Sequence, residues 1–275
     1  MASFSEAPFT RLPAHPMNFL ALDTSTDILS IAVQQSDGEV HERSAPGGAK
    51  SSPTMIPAIR ELMAETSLTF DTLDMIVFGR GPGSFTGLRT ACSVAQGLAF
   101  GARQGLGVPV LPVDSLLAVA ETARVEHQVT RVLAVLDARM NEVYSCAYEW
   151  DEATAQWRSL GDFELLAPES LQVPDGFVVA GNAKAAYEDR LAPHATHVLA
   201  LPRASAMLRL APTLLAAGMA VPASEALPLY IRDKVAQTTA EREEIKRLAL
   251  LEQSAQAVQA VQAAQSAPAP ASESK

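Results

Sequence analysis

The chain has 275 residues, of which 48% are hydrophobic and 19% charged, and its formal net charge is -10 at pH 7. This length is sufficient for one large or two small domains with a sizeable core. An acidic surface repels polyanions, so the composition argues against strong unaided binding of nucleic acid. No apolar run reaches the roughly 18 residues of a membrane helix, and residues 1–16 lack the apolar segment of a signal peptide. We therefore expect a cytoplasmic protein without membrane contact and with a flexible leader at residues 1–16.

The residue types that usually carry catalysis or bind metals are sparse. Cys92 and Cys146 lie far apart and outside any CxxC or Cys/His cluster, which predicts buried, reduced thiols. The five histidines form no HExxH motif and no pair on a plausible helix face. Ser84 is not part of a GxSxG elbow, and no histidine is identifiable as its base. The sequence therefore predicts no metal site and no catalytic residue.

Three strands are predicted at the start of the chain. Apolar runs at residues 18–23 and 28–34 are separated by a short polar turn. A third strand is expected around Val40, because Asp37-Gly38 is a strong signal for a tight turn between strands. These three strands should pair in meander order.

Helices and strands then alternate. Thr54 is the expected N-cap of a first helix, which places Pro57 in the first turn, where the missing N–H does no harm. The run "LDMIVFG" predicts a buried strand, residues 84–103 a second helix, "GVPVLPVD" a further strand and residues 115–126 a third helix. This order indicates a mixed sheet covered by helices.

A second lobe is expected after this sheet. "RVLAVLDARMNEVYSCAYEW" and "GFVVAGNA" contain its strands, and residues 183–191 and 205–218 are predicted to be helical. The composition then changes to Ala, Gln and Glu, which indicates a solvated helix or a disordered segment. The predicted organisation is an N-terminal lobe at residues 17–112, a smaller C-terminal lobe at residues 113–235, and a tail at residues 236–275 that is partly helical or disordered.

A glycine-rich turn precedes the second helix in "FGRGPGSFTGLRTACSVAQGLAFG". Gly81 and Gly83 permit unusual backbone angles, Pro82 stiffens the turn and Ser84 can cap the helix. A helix N-terminus with free N–H groups suits a phosphate. The spacing matches neither the GxxxxGK[ST] loop nor GxGxxG, so the alternative is that these residues only turn the chain.

A second polar group ends the first predicted strand. Asp23-Thr24-Ser25-Thr26 combines a carboxylate with hydroxyls that could hold a Mg-nucleotide, although such residues also form ordinary turns. The two polar segments together give the candidate nucleotide-binding residues Asp23, Thr24, Ser25, Gly81, Gly83, Ser84 and Thr86.

The two helices of the first lobe carry an apolar stripe. The second helix is rich in small residues and apolar nearly all round, so one of its faces would need a partner. We expect a helix-to-helix protein interface here, and the alternative is two ordinary core helices. The predicted interface consists of Met55, Ile59, Leu62, Met63, Leu88, Ala91, Ala95, Leu98 and Ala102.

Several segments resemble the TsaB (YeaZ) family, the noncatalytic partner in bacterial biosynthesis of threonylcarbamoyladenosine on tRNA. They are "LALDTSTDILSIAV", "IPAIRELM", "VFGRGPGSFTGLRTACSVAQGLAFG", "VPVLPVDSLLAVA", "LDARMNEVY" and "PLYIR". "GRGPGSFTGLR" followed by "GLAFG" is highly specific to this family. The resemblance implies an α/β, actin-like and Hsp70-like (ASKHA) fold with two lobes.

The resemblance also implies partners. The two helices of the first lobe would pair with the corresponding helices of a TsaD-like transferase that modifies adenosine 37 of tRNAs reading ANN codons. A TsaE-like ATPase would join the pair, and tRNA would be contacted only through the complex. No tightly bound cofactor is implied, although ATP can bind within the complex, and a homodimer in the absence of the partner stays open.

Aligning this sequence with TsaD suggests why the chain would be noncatalytic. Ser115 and Val119 stand where TsaD has two metal-binding histidines, and neither side chain is an adequate ligand. The segment "SAPGGAKSSPTMIPAI" departs from the Arg-His-Ser approach to the first helix that many relatives have. A rival hypothesis is a free-standing sugar or acetate kinase that uses Asp23 and the glycine loop on ATP. A peptidase, suggested by old names in the wider family, lacks both a base and a metal site.

Overall fold

A computed structural model of the chain describes residues 16–47, 51–232 and Arg247. The described residues up to Ile231 belong to one compact unit, and of the second unit, Arg232–Lys275, only Arg232 and Arg247 are described. The predicted leader, apart from Pro16, and the predicted tail, apart from Arg247, lie outside the described residues. None of the described helices combines the length and apolar character needed to cross a membrane.

The first sheet has five strands: β1 (Phe19–Asp23), β2 (Ile28–Gln34), β3 (Val40–Pro46), β4 (Met75–Gly81) and β5 (Val110–Asp114). Their order across the sheet is β3-β2-β1-β4-β5. The first three strands are antiparallel neighbours, β4 is parallel to β1, and β5 is parallel to β4. This arrangement confirms the predicted meander and mixed sheet.

Helices cover both faces of this sheet, which explains why β1 and β4 are almost continuously apolar. α1 (Ser51–Glu65) and α2 (Phe85–Gly101) pack on one face. α3 (Ser115–His127) and α5 (Ala204–Ala216) pack on the other face.

The start of α1 corrects one sequence prediction. The helix already includes Ser51, so Thr54 is not its N-cap and Pro57 lies in the second turn. At that position proline removes one hydrogen bond between successive turns. Burial of Met55 and Ile59 against the sheet offsets this loss, which is why the proline does not end the helix.

The second sheet has six strands: β6 (Arg131–Arg139), β7 (Glu142–Asp151), β8 (Gln156–Ser159), β9 (Glu164–Leu166), β10 (Val178–Gly181) and β11 (His197–Val198), of which β9 lies off the main path. The order is β11-β10-β6-β7-β8, and β9 also pairs with β7. β6 and β7 form an antiparallel hairpin, whereas β10 is parallel to both β6 and β11. The short strands β8, β9 and β11 were not predicted. The short helix α4 (Ala183–Tyr187) packs beside this sheet.

α3 belongs to the cores of both sheets. Ala118 packs with the first sheet, whereas Leu116, Val119 and Ala123 pack with the second. α5 follows the second sheet in sequence but returns to cover the first. The predicted α/β class with two lobes is confirmed. The exact lobe limits stay a prediction, and the return of α5 means that the first lobe is not built from one continuous segment.

Candidate nucleotide site and partner surface

The Asp23–Thr26 turn and the glycine-rich turn lie against each other. They follow the parallel neighbours β1 and β4, whose carboxyl ends meet at one edge of the sheet. The backbone N–H of Ser84 donates to the carbonyl of Ser25 over 2.7 Å. The Thr24 hydroxyl donates to the Gly87 carbonyl, also over 2.7 Å. The structure therefore brings the two predicted halves of the nucleotide site together.

The glycines at this contact allow two backbones to approach closely. A Cβ atom on Gly87 would lie 1.8 Å from the carbonyl oxygen of Thr24, and one on Gly83 would lie 2.5 Å from that of Ser25. No side chain fits at either position without moving backbone. The glycine pattern thus has an explanation within the chain that needs no bound phosphate.

Asp23 lies beneath this contact and is fully buried. Its Oδ1 accepts hydrogen bonds from the backbone N–H of Ser25 at 2.9 Å and from the Ser25 hydroxyl at 2.8 Å. Its Oδ2 lies 3.5 Å from the hydroxyl of Ser115. Burial raises the pKa of Asp23 to about 7, although the hydrogen bonds from Ser25 and Ser115 oppose that rise. No ion pair with a cation is formed by this carboxylate within the described residues.

The remaining predicted nucleotide residues differ in their access to solvent. Thr24, Ser25 and Gly81 are buried, Gly83 and Ser84 are half-buried, and Thr86 is exposed. The Ser84 hydroxyl accepts from the N–H of Gly87 at 3.4 Å, which confirms the predicted cap of α2. These residues hold the β1–β2 turn on the start of α2, and nucleotide contact by them stays a prediction.

A C-terminal segment, residues 226–231, crosses α2 next to this site. The N–H of Leu229 donates to the Arg80 carbonyl at 2.6 Å, and the Gln96 amide donates to the Ala226 carbonyl at 3.0 Å. The ring of Tyr230 lies 5.1 Å from that of Phe85. The motif "PLYIR", which only the family resemblance singled out, thus contacts α2 through Tyr230.

The predicted partner interface was wrong about the face of α1 and α2. Met55, Ile59, Leu62, Met63, Leu88, Ala91, Ala95 and Ala102 are buried within the chain, and Leu98 is partly buried. An apolar stripe at helical spacing indicates burial but does not say whether the cover comes from the same chain. In this chain the eight buried side chains are covered from within, so they are not available to a partner, whereas Leu98 is covered only in part.

Other positions on the two helices carry exposed apolar groups. Phe100 on α2 is 58% exposed, and Phe85 on α2 and Ile56 on α1 are each 36% exposed. The guanidinium of Arg89 lies 3.8 Å from the centroid of the Phe85 ring, and its Nε donates to the Tyr230 hydroxyl at 3.1 Å. We call Ile56, Phe85, Arg89 and Phe100 the outer α1/α2 face. The signal for it was in the sequence as aromatic residues outside the stripe of small ones.

The two positions that the resemblance predicts to correspond to metal-binding histidines of TsaD lie on α3. Ser115 and Val119 are both fully buried, and Val119 packs in the core with the second sheet. Within the described part of the chain, no group of three or more His, Cys, Asp or Glu side chains is arranged to hold a metal ion.

Comparison with known proteins gives consistent matches. Residues 44–240 match the family described as "TsaD: tRNA N6-adenosine threonylcarbamoyltransferase". The chain is 36% identical to the tRNA threonylcarbamoyladenosine biosynthesis protein TsaB of Haemophilus influenzae, over 80% of this chain and 95% of that protein. It is 33% identical to the TsaB protein of Escherichia coli, over 80% of this chain and 96% of that protein.

Solved structures agree with these sequence matches. The structure of YeaZ from Pseudomonas aeruginosa is 36% identical and superimposes with a TM-score of 0.70, covering 78% of this chain and 100% of that one. Both the sequence and the fold are therefore shared over nearly the whole length of the relatives. The chain belongs to the TsaB (YeaZ) family.

Proposed function

We propose that this chain is a noncatalytic, cytoplasmic subunit for threonylcarbamoyladenosine biosynthesis on tRNA, and that it acts by binding a TsaD-like transferase. The observation that carries this proposal is the match over 95% or more of two relatives named as TsaB biosynthesis proteins. The family model described as a transferase adds that the chain shares its fold with such an enzyme.

The noncatalytic role is supported by the chemistry of α3. A buried hydroxyl and a buried aliphatic side chain occupy the positions of the two expected metal ligands, Ser115 and Val119. A serine hydroxyl is a poor ligand for a borderline transition metal, and valine has no donor atom. The partner would therefore supply the metal and the reacting groups.

The outer α1/α2 face is the surface that we assign to the partner. It exposes two phenylalanines and an isoleucine beside the helix ends, and interface cores are enriched in aromatic residues. Each square ångström of apolar surface removed from water contributes about 25 cal/mol before the costs of association. Contact through Phe85 and Phe100 would thus provide much of the pairing energy.

The other components follow from this assignment. A TsaE-like ATPase would join the pair, ATP would bind within the complex, and tRNA would be contacted through the complex, because the chain itself is acidic. Without its partner, the same apolar face would be available to a second copy of the chain.

A small-molecule kinase is the less favoured alternative. Such an enzyme needs a carboxylate that faces the phosphates and a metal ion. Asp23 instead points into the protein, where Ser25 and Ser115 surround it. Phosphate transfer from ATP to a sugar or to acetate by the isolated chain would restore that alternative.

Reconstitution tests the proposed function. The chain, its TsaD-like partner and the remaining components are mixed with unmodified tRNA, and the modified nucleoside is measured by mass spectrometry. We expect no product from this chain alone and product only when both proteins are present. Product from the chain without the partner would overturn the noncatalytic role.

A charge on the outer face tests the surface separately. Phe100→Glu should weaken co-purification with the partner at least tenfold, because it removes an aromatic contact and buries a charge at the interface. Leu199→Glu is the matched control, since Leu199 is 66% exposed but lies beyond the two helices. Equal partner binding by both variants would remove this face from the contact.

A further inference from the structure

A cavity of about 320 Å³ lies between α3, α5 and the β7–β8 hairpin. It is separate from the Asp23 turn and from the outer α1/α2 face, because no residue that lines it belongs to either group. Its volume is near the lower end of the range for small-molecule sites, about 300–1,000 Å³. Both tryptophans of the chain, Trp150 and Trp157, form part of its wall.

Glu121 on α3 organises the polar wall of the cavity and is only 1% exposed. Its carboxylate accepts two hydrogen bonds from Arg124 at 2.9 Å, one from Arg209 at 3.0 Å and one from the indole N–H of Trp157 at 3.0 Å. Four hydrogen bonds fix this carboxylate and the three side chains around it. The wall is thus built before any ligand arrives.

The charge balance of this wall is positive. Glu121 is the only carboxylate among the lining residues, and it faces two guanidinium groups, which leaves one net positive charge. Arg124 has its guanidinium carbon 4.0 Å from the centroid of the Trp150 ring. Arg209 uses its Nε for Glu121, and its Nη groups make no further hydrogen bond within the described residues. Those N–H groups can bind an additional anion.

The rest of the cavity is apolar or aromatic. Leu117, Leu210 and Leu214 line it opposite the two indole rings, which lie 5.4 Å apart at 67°. An apolar body, best a flat ring, fits between leucine side chains and indoles, while its charged end reaches the guanidinium groups. We propose that this cavity binds a small aromatic carboxylate, with the carboxylate on Arg209 and Arg124 and the ring against Trp157 and the leucines.

Acidic residues near the hairpin limit the affinity. The hydrogen bonds that Arg124 donates to Glu121 raise the pKa of its guanidinium, and the nearby charge of Glu152 adds to that rise. Glu149, Asp151 and Glu152 line the open groove on the other side of the two tryptophans. They repel an approaching anion, so binding should be modest and should improve when one of these charges is removed.

The test uses phenylacetate as the probe, with the full-length chain. Intrinsic tryptophan fluorescence reports directly on the cavity, because both tryptophans line it. Phenylacetamide has the same shape without the charge, and phenethylamine carries the opposite charge. We expect phenylacetate to bind about tenfold more tightly than phenylacetamide, and phenethylamine to bind most weakly. Equal binding of acid and amide, tighter binding of the amine, or no binding of phenylacetate up to its solubility would each overturn the proposal.

Variants locate the probe within the molecule. Arg209→Gln should weaken phenylacetate binding about tenfold, and Glu152→Gln should tighten it about twofold. Leu214→Phe narrows the cavity while leaving its charges in place, so it should weaken binding even if Arg209→Gln fails to fold. Unchanged affinity in Leu214→Phe would place the probe elsewhere and overturn the assignment. Because the readout is binding to the isolated chain, its failure is independent of tRNA modification.

Discussion

Replacing Asp23 by asparagine should stabilise the protein at neutral and alkaline pH. Asp23 is fully buried, and its pKa rises from an ordinary value of 3.8 to about 7 because burial penalises the charged form. Asparagine has nearly the same shape and remains uncharged. Its carbonyl oxygen can still accept from Ser25, and its amide can donate to the hydroxyl of Ser115, so the variant keeps the polar contacts.

The size of the effect follows from the two pKa values. Between pH 4 and pH 7 the folded protein holds a proton on Asp23 that the unfolded chain has released, so the free energy of unfolding falls as the pH rises. A difference of about 3 units corresponds to about 4 kcal/mol, which is fully lost above pH 7. The variant should therefore match the wild type near pH 4 and exceed it by up to about 4 kcal/mol at pH 8.

Urea unfolding at a series of pH values measures this difference. Other groups titrate in both proteins, so the informative quantity is the stability of the variant minus that of the wild type at each pH. Asp175→Asn, at an exposed loop position, is the control and should give a flat difference. A wild type that is more stable than Asp23→Asn at pH 8, or parallel profiles from pH 4 to pH 8, would refute the argument from burial.

Three further substitutions test two features. Two of them change the contact between the Asp23–Thr26 turn and the glycine-rich turn, and the third removes a hydrogen bond in the second lobe. Gly87→Ala should destabilise the fold by about 2–4 kcal/mol in urea unfolding, because its Cβ would collide with the Thr24 carbonyl, whereas Gly97→Ala on the same helix meets nothing within 4 Å and should be neutral or stabilising. Thr24→Val should cost about 1–2 kcal/mol through the buried hydrogen bond to Gly87, and Thr24→Ser should restore most of it; equal losses would contradict that role. Tyr187→Phe should lower the melting temperature by a few degrees, because its hydroxyl donates to Asp137 at 2.8 Å, and an unchanged melting temperature would mean that this bond contributes nothing.

The first sheet could be predicted from the sequence because its signals are local. A buried strand such as "LDMIVFG" and a tight turn such as Asp37-Gly38 can each be recognised from a few consecutive residues. Ser84 caps α2 as predicted. The face of α2 that is open to a partner could not be predicted in the same way. Periodicity identifies Ala91 and Ala95 as buried, but only the three-dimensional structure shows that the chain's own sheet covers them.

Longer-range features were not visible in the sequence. The glycine loop suggested a phosphate site, because nothing local indicates that the carbonyls of Thr24 and Ser25 occupy the space beside Gly87 and Gly83. The cavity around Glu121 was missed for the same reason, since its walls come from three separate segments. The β6–β7 turn also departs from simple turn chemistry, because three successive residues other than glycine, Arg139, Met140 and Asn141, have positive φ angles.

The position of α3 has a mechanical consequence. Actin-like enzymes are expected to hinge between their lobes around a bound ligand, which requires a cleft whose walls can separate. In this chain the single helix α3 packs against both sheets: Ala118 belongs to the core of the first sheet, and Val119 and Ala123 belong to the core of the second. Separating the two sheets would expose apolar side chains on at least one side of α3 to water. The two sheets should therefore keep a fixed orientation relative to each other, and the molecule should behave as a rigid body.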